Sequence, residues 1–99
     1  MIRILIILVK EGIPTDDELE ELSQRIAKAW KPLGRRLKIE EVKLTGFHKE
    51  NEEYSEKAFK MLLHWKERDA SAANYRVLRD ALCHNLVEQK LLAEKFCYD

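Results

Sequence analysis

Apolar residues recur along most of this chain at intervals of three and four, the spacing that places them on one face of an α-helix. Thr15 opens the first such segment. Thr15 and Glu18 form a capping-box pattern, in which hydroxyl and carboxylate each serve one unpaired amide. Acids at Asp16, Asp17, Glu18, Glu20 and Glu21 suit the positive end of the helix dipole. Leu19, Leu22 and Ile26 line one face, and the helix should end between Ala27 and Ala29. Trp30, Leu33 and Leu37 predict a second helix from about Trp30. Pro32 is tolerated in its first turn, where amides lack partners.

Ile39 to Phe47 read as a short third helix, with Glu40 and Glu41 near its start and Val42, Leu44 and Phe47 as its apolar surface. His48 to Asn51 read as a polar connection, with Asn51 capping the next helix. Tyr54, Ala58, Met61, Leu62 and Trp65 then form one stripe, the clearest in the chain. Glu53 with Lys57, and Glu56 with Lys60, stand at i, i+4 spacing, suited to ion pairing. Arg68 to Ala72 are expected to loop, with Ser71 as a cap. Tyr75, Leu78 and Leu82 mark a fifth helix reaching about His84. Asn85 and Glu88 resemble a further cap pair, and Val87, Leu91 and Leu92 predict a sixth helix running to about Phe96. Six short helices with short connections imply an all-α bundle.

The run Ile2 to Val9 breaks this pattern. It is almost wholly apolar and locally favours a buried strand, yet no second strand pattern follows to pair with it. The expectation is an extra helical turn or a remnant of a neighbouring region, packed against the first helix or against a neighbouring molecule. The run is too short to span a bilayer. Lys10 and Glu11 follow it directly instead of a small-residue cleavage site, which argues against a secretory signal. Residues 1–13 are therefore read as an extension and 14–99 as the domain.

Composition narrows the function. Ninety-nine residues suit one domain, and 18 basic against 18 acidic side chains leave no net charge. General polyanion binding normally needs an excess of Lys and Arg. Two cysteines, Cys83 and Cys97, are too few for a disulfide scaffold and suit a reduced, cytoplasmic chain. Gly34 and Gly46 stand alone, outside any phosphate-binding loop. His48, His64 and His84 are scattered, without the spacing of a metal site. The adjacent Cys83-His84 pair reads as chance, since catalytic Cys and His meet through the fold. Nothing indicates an enzyme, a cofactor or a small-molecule substrate.

Several of these residues together resemble the death domain. Leu19 to Ile26, then Trp30-Lys31-Pro32-Leu33 and Leu37, look like the first two helices of that family, with a tryptophan followed by leucines three and seven residues on. Leu62, His64 and Trp65 match the Leu-x-x-Trp pattern at the end of its fourth helix. Leu78 to Leu82 and Leu91 to Phe96 resemble the last two. The likeness covers roughly residues 14–97 and is nearest to apoptotic adaptors and ankyrins. It implies a six-helix antiparallel Greek-key bundle without catalytic residues. It also implies homotypic association with other death-domain proteins in cytoplasmic signalling complexes of apoptosis or inflammation.

Charge is segregated along the first two helices. Asp16 to Glu21 are acid-rich, whereas residues 28–38 hold Lys28, Lys31, Arg35, Arg36 and Lys38 and no acid. One reading is two solvated faces that suit the helix dipoles. The other is a head-to-tail interface, which would let the chain form a homo-oligomer. Carried over from the resemblance, Arg35, Arg36 and Lys38 are the basic candidates, and Asp17, Glu20, Glu21 and Glu56 the acidic ones. Glu41 and Lys43, with the residues around His48 to Asn51, would serve a second contact. Two alternatives stand beside this: a helical nucleic-acid-binding domain using the Lys28–Lys38 patch, made unlikely by the zero net charge, and a caspase-recruitment-type domain, against which the tryptophan of the fourth helix speaks. No membrane partner is expected.

Overall fold

The computed structural model describes residues 8–99. Among them, the α-helices are α1 (Asp16–Ile26), α2 (Trp30–Arg36), α3 (Glu41–Glu50), α4 (Tyr54–Asp69), α5 (Tyr75–Cys83) and α6 (Lys90–Cys97). Three-residue 3-10 turns over Ala27–Ala29 and Ala70–Ala72 extend α1 and α4. The all-helical expectation holds among the described residues.

The capping box forms as its residues foretell. The Glu18 amide donates to the Thr15 hydroxyl, and the Thr15 amide donates to the Glu18 carboxylate. Leu19, Leu22 and Ile26 of α1 are buried against α4, whose Ala58, Met61, Leu62 and Trp65 are fully enclosed. Trp30, Leu33 and Leu37 complete this core from the side of α2. Asp16 at the start of α1 meets Lys66 near the end of α4, with 2.7 Å between Oδ1 and Nζ. Helices α5 and α6 pack on each other, and α6 returns against α1.

Glycine is required where α2 approaches α3 and α4. A Cβ on Gly34 would lie 2.6 Å from Leu44 Cδ2 and 3.3 Å from Met61 Cγ. At Gly46, by contrast, a Cβ would meet only the end of a flexible side chain, Glu50 Oε1 at 4.0 Å.

Several boundaries differ from expectation. Helix α3 starts at Glu41 and absorbs His48, Lys49 and Glu50, which were read as a connection. Asn51 does not cap α4. It closes α3, its side-chain amide donating to the Phe47 carbonyl at 3.0 Å. Val42 is 72% exposed, so Leu44 carries the burial of α3. Arg68 and Asp69 continue α4 and do not loop out. The cap of α5 is Asn74, accepting from the Val77 amide at 2.9 Å, and not Ser71. Asn85 and Glu88 lie in the turn before α6 without forming a cap pair. In α6 the buried residues are Ala93, Phe96 and Cys97, while Leu91 is 79% exposed. Val87 is buried and Leu92 packs against the core as expected, so of the three residues that predict this helix Leu91 is the one that faces outward.

Of the Ile2–Val9 run, residues 2–7 lie outside the described part. Leu8 to Lys10 are extended and not a helical turn. Val9 forms an antiparallel bridge with Tyr98, Lys10 N donates to Cys97 O at 2.8 Å, and Asp99 N donates to Leu8 O at 3.1 Å. The partner segment, Cys97 to Asp99, has no strand pattern of its own.

Candidate functional site

The basic candidates gather where α2 ends. Burying Trp30, Leu33 and Leu37 turns Lys31, Arg35 and Arg36 toward solvent, because residues three and four apart share a helical face. The helix closes in a Schellman motif: Ile39 N donates to Gly34 O at 3.0 Å and Lys38 N to Arg35 O at 3.1 Å. The residue between these bonds must be left-handed, and this is normally a glycine. Here it is Lys38, with φ +66°. A left-handed lysine costs roughly 1 kcal/mol relative to glycine, so an exposed cation is held where the backbone alone would favour no side chain.

Arg68, which sequence reasoning missed, fixes this junction from α4. Its guanidinium donates to Lys38 O at 2.6 Å and Leu37 O at 2.7 Å, and it pairs with Asp69 at 2.6 Å. Hydrogen bonding to Arg68 holds the Asp69 carboxyl below its ordinary value. No local pattern marks Arg68, because its partners are backbone carbonyls thirty residues away.

Arg35 and Glu41 were expected to serve separate contacts, yet the fold joins them. Arg35 Nε donates to Glu41 Oε1 at 2.6 Å, and this bond holds the carboxyl of Glu41 below its usual range and raises the Arg35 guanidinium. Glu40 and Glu41 therefore border the basic surface, and a polyphosphate laid across it would meet carboxylates. Arg36 is half-buried, and its Nε lacks a hydrogen-bond partner.

On the acidic side, Asp17, Glu20 and Glu21 all lie exposed on α1. Glu21 is shared between Arg25 at 3.3 Å and Lys95 of α6 at 3.6 Å. Asp17 and Glu20 have no ion pair among the described residues. Glu56 is exposed, but it lies ten residues before Lys66 on α4, about 15 Å along the axis. Lys66 is the residue that meets the start of α1, so Glu56 does not join Asp17 in one cluster. Lys43 lies apart again, on a groove of about 610 Å³ between α3 and α4 with Val42, Phe47 and His64.

The expected pairs Glu53–Lys57 and Glu56–Lys60 are not formed among the described residues. Lys57 is buried instead, its Nζ 2.8 Å from His48 Nδ1 and 5.4 Å from the centre of the Tyr54 ring.

A further polar cluster ties the extension to the bundle. Glu18 accepts from the Tyr75 hydroxyl and lies 3.4 Å from Lys10 Nζ. Burial opposes the charge on Glu18, but the hydrogen bonds from Thr15, Tyr75 and Lys10 outweigh it and hold the carboxyl below its ordinary value. Burial and the Glu18 hydrogen bond push Tyr75 up to about 12. Cys83 is exposed, whereas burial pushes the Cys97 thiol up to about 12, with Cys83 nearby adding to the effect.

Among the described residues no group of His, Cys, Asp and Glu is arranged to hold a metal ion, and no helix is long and apolar enough to cross a membrane. What the surface offers is charge of opposite sign on separate elements, fixed by capping and packing. A family model described as Death domain matches residues 16–96. No curated protein matches the chain.

Proposed function

Because the chain belongs to the death-domain family, we propose that it is an assembly module that binds other death domains and gathers them into a cytoplasmic signalling complex of apoptosis or inflammation. The family is one of protein–protein interaction modules rather than enzymes. Arg35, Arg36 and Lys38 meet acidic residues of a partner, while Asp17, Glu20 and Glu21 offer the complementary surface. The observation that carries this reading is Lys38, a cation kept in a left-handed position that glycine would fill at lower cost.

The test is binding of purified death domains to the wild type and to the double variant Arg35→Glu, Arg36→Glu. Neither side chain belongs to the apolar core, so the variant should still fold, which thermal melting checks. Affinity for an interacting domain should fall at least about tenfold, and wild-type binding should weaken with salt, as expected for exposed charges. Equal affinity of the two proteins would overturn the reading.

A further inference from the structure

Residues 8–10 run beside residues 97–99, and their pairing leaves one edge open. Both hydrogen bonds come from the residues that flank Val9 and Tyr98: Lys10 N donates to Cys97 O, and Asp99 N donates to Leu8 O. Val9 and Tyr98 are thus a non-hydrogen-bonded pair of an antiparallel ladder, and their own amides and carbonyls point away from each other. Among the described residues the Val9 amide and carbonyl have no backbone partner.

These two groups border a cleft of about 520 Å³ between residues 8–12 and the start of α5, where Asn74, Arg76 and Arg79 line it. Residues 97–99 do not line it, so the cleft lies on the outward side of Val9. At one end the Tyr75 amide donates to Gly12 O at 3.2 Å and ties the extended segment to α5. At the other, Leu8 is 64% exposed.

Charge selects what can lie there. Lys10, Arg76 and Arg79 face a single acid, Glu11. Lys10 is engaged by Glu18, and Arg79 by Asp80 at 2.7 Å. Arg76 is exposed and has no ion pair among the described residues. A second copy paired edge to edge through Val9 would set these cations against their own kind, which opposes it. A chain that carries carboxylates would meet them as counter-charges.

We propose that this cleft takes an extended acidic peptide of a partner protein, laid beside residues 8–10 as a third extended segment. The peptide donates one amide to Val9 O and accepts from Val9 N, as strands do when they add to an open edge. Side chains alternate along such a segment, so a carboxylate on the face turned to α5 meets Arg76. The bonds to Val9 set the register, and Arg76 makes the choice of acid. The cleft lies apart from the α2 surface and stands whether or not that surface binds death domains.

Fluorescence anisotropy of the full chain with a labelled peptide of about seven residues, valine alternating with glutamate, tests this. Saturable binding is expected. The same peptide with lysine for glutamate, or with every amide N-methylated, should bind at least about tenfold more weakly. Val9→Pro removes the outward amide yet leaves both bonds of the bridge, since neither uses Val9 N. Arg76→Glu reverses the exposed cation, and Arg76→Lys keeps it. The first two variants should weaken binding at least about fivefold, and Arg76→Lys should retain it. If Val9→Pro melts lower than wild type, the methylated peptide and Arg76→Glu decide alone. No saturable binding by the wild type, or equal binding of the methylated or lysine peptide, would overturn the proposal. So would sedimentation that finds a wild-type dimer and a monomeric Val9→Pro, because the edge would then belong to a second copy.

Discussion

Arg35 of α2 donates to Glu41 of α3 at 2.6 Å, so one exposed cation of the basic surface is already engaged within its own molecule. An incoming carboxylate must compete with Glu41. The substitution Glu41→Gln should therefore strengthen binding of an acidic partner a few-fold at low salt and have little effect at high salt. Isothermal titration at two ionic strengths checks it. A loss of binding would instead make Glu41 a contact residue in its own right, as the sequence suggested.

Replacing Lys38 should separate stability from binding. Lys38→Gly relieves the left-handed backbone and should raise stability by about 1 kcal/mol in denaturant unfolding. The same change removes a cation from the surface and should weaken partner binding. A destabilised Lys38→Gly would show that the lysine stem packs more usefully than its backbone conformation costs.

The two helical glycines should respond with opposite signs. Gly34→Ala forces a methyl to within 2.6 Å of Leu44 and should cost about 1–3 kcal/mol, net of the better helix propensity of alanine. Gly46→Ala makes only an ordinary contact with the Glu50 side chain, 4.0 Å away, and should gain up to about 1 kcal/mol. Urea midpoints of the two variants against wild type decide both.

Much of this was legible because it is local. A capping box needs only Thr15 and Glu18, and the stripes of α1, α2 and α4 repeat inside single helices. What was not legible depends on partners distant in sequence. The spacing at the sixth helix found Val87 and Leu92 but also counted Leu91, which faces outward, and it passed over Ala93 and Phe96, which are buried once α6 packs on α5 and α1. Asn51 and Ser71 are good caps by type, and the chain uses Asn51 at a C-terminus and passes Ser71 over for Asn74. The same holds for the charged residues. Their segregation was visible in the sequence, but the Arg35–Glu41 pair, the Arg68 brace and the distance of Glu56 from Asp17 arise only when α2, α3 and α4 are brought together.

Acid should act through Glu18. Its folded carboxyl binds a proton less readily than the ordinary carboxyl at 4.5, so its stabilisation is complete above that value and is lost as pH falls through the lower folded one. Wild type should exceed Glu18→Gln by about 1 kcal/mol at neutral pH, since glutamine keeps the capping geometry but not the charge. The gap should close as the pH falls below the folded carboxyl's lowered value. Thermal melts of both proteins across this range measure it, and a gap that persists in acid would assign the effect to shape instead of charge.

The bridge between Val9 and Tyr98 sets how the bundle would bear load. Leu8 sits opposite Asp99 and Lys10 opposite Cys97, so chain entering at residue 8 and leaving at residue 99 passes through one point on the surface. A pull on those two ends does not slide the segments along each other. It peels them apart one hydrogen bond at a time, Asp99–Leu8 first and Lys10–Cys97 next, before any helix is strained. Set within a longer polypeptide, the bundle would hang from the line of tension like a bead on a clasp, letting out slack at low force while its core stays shut.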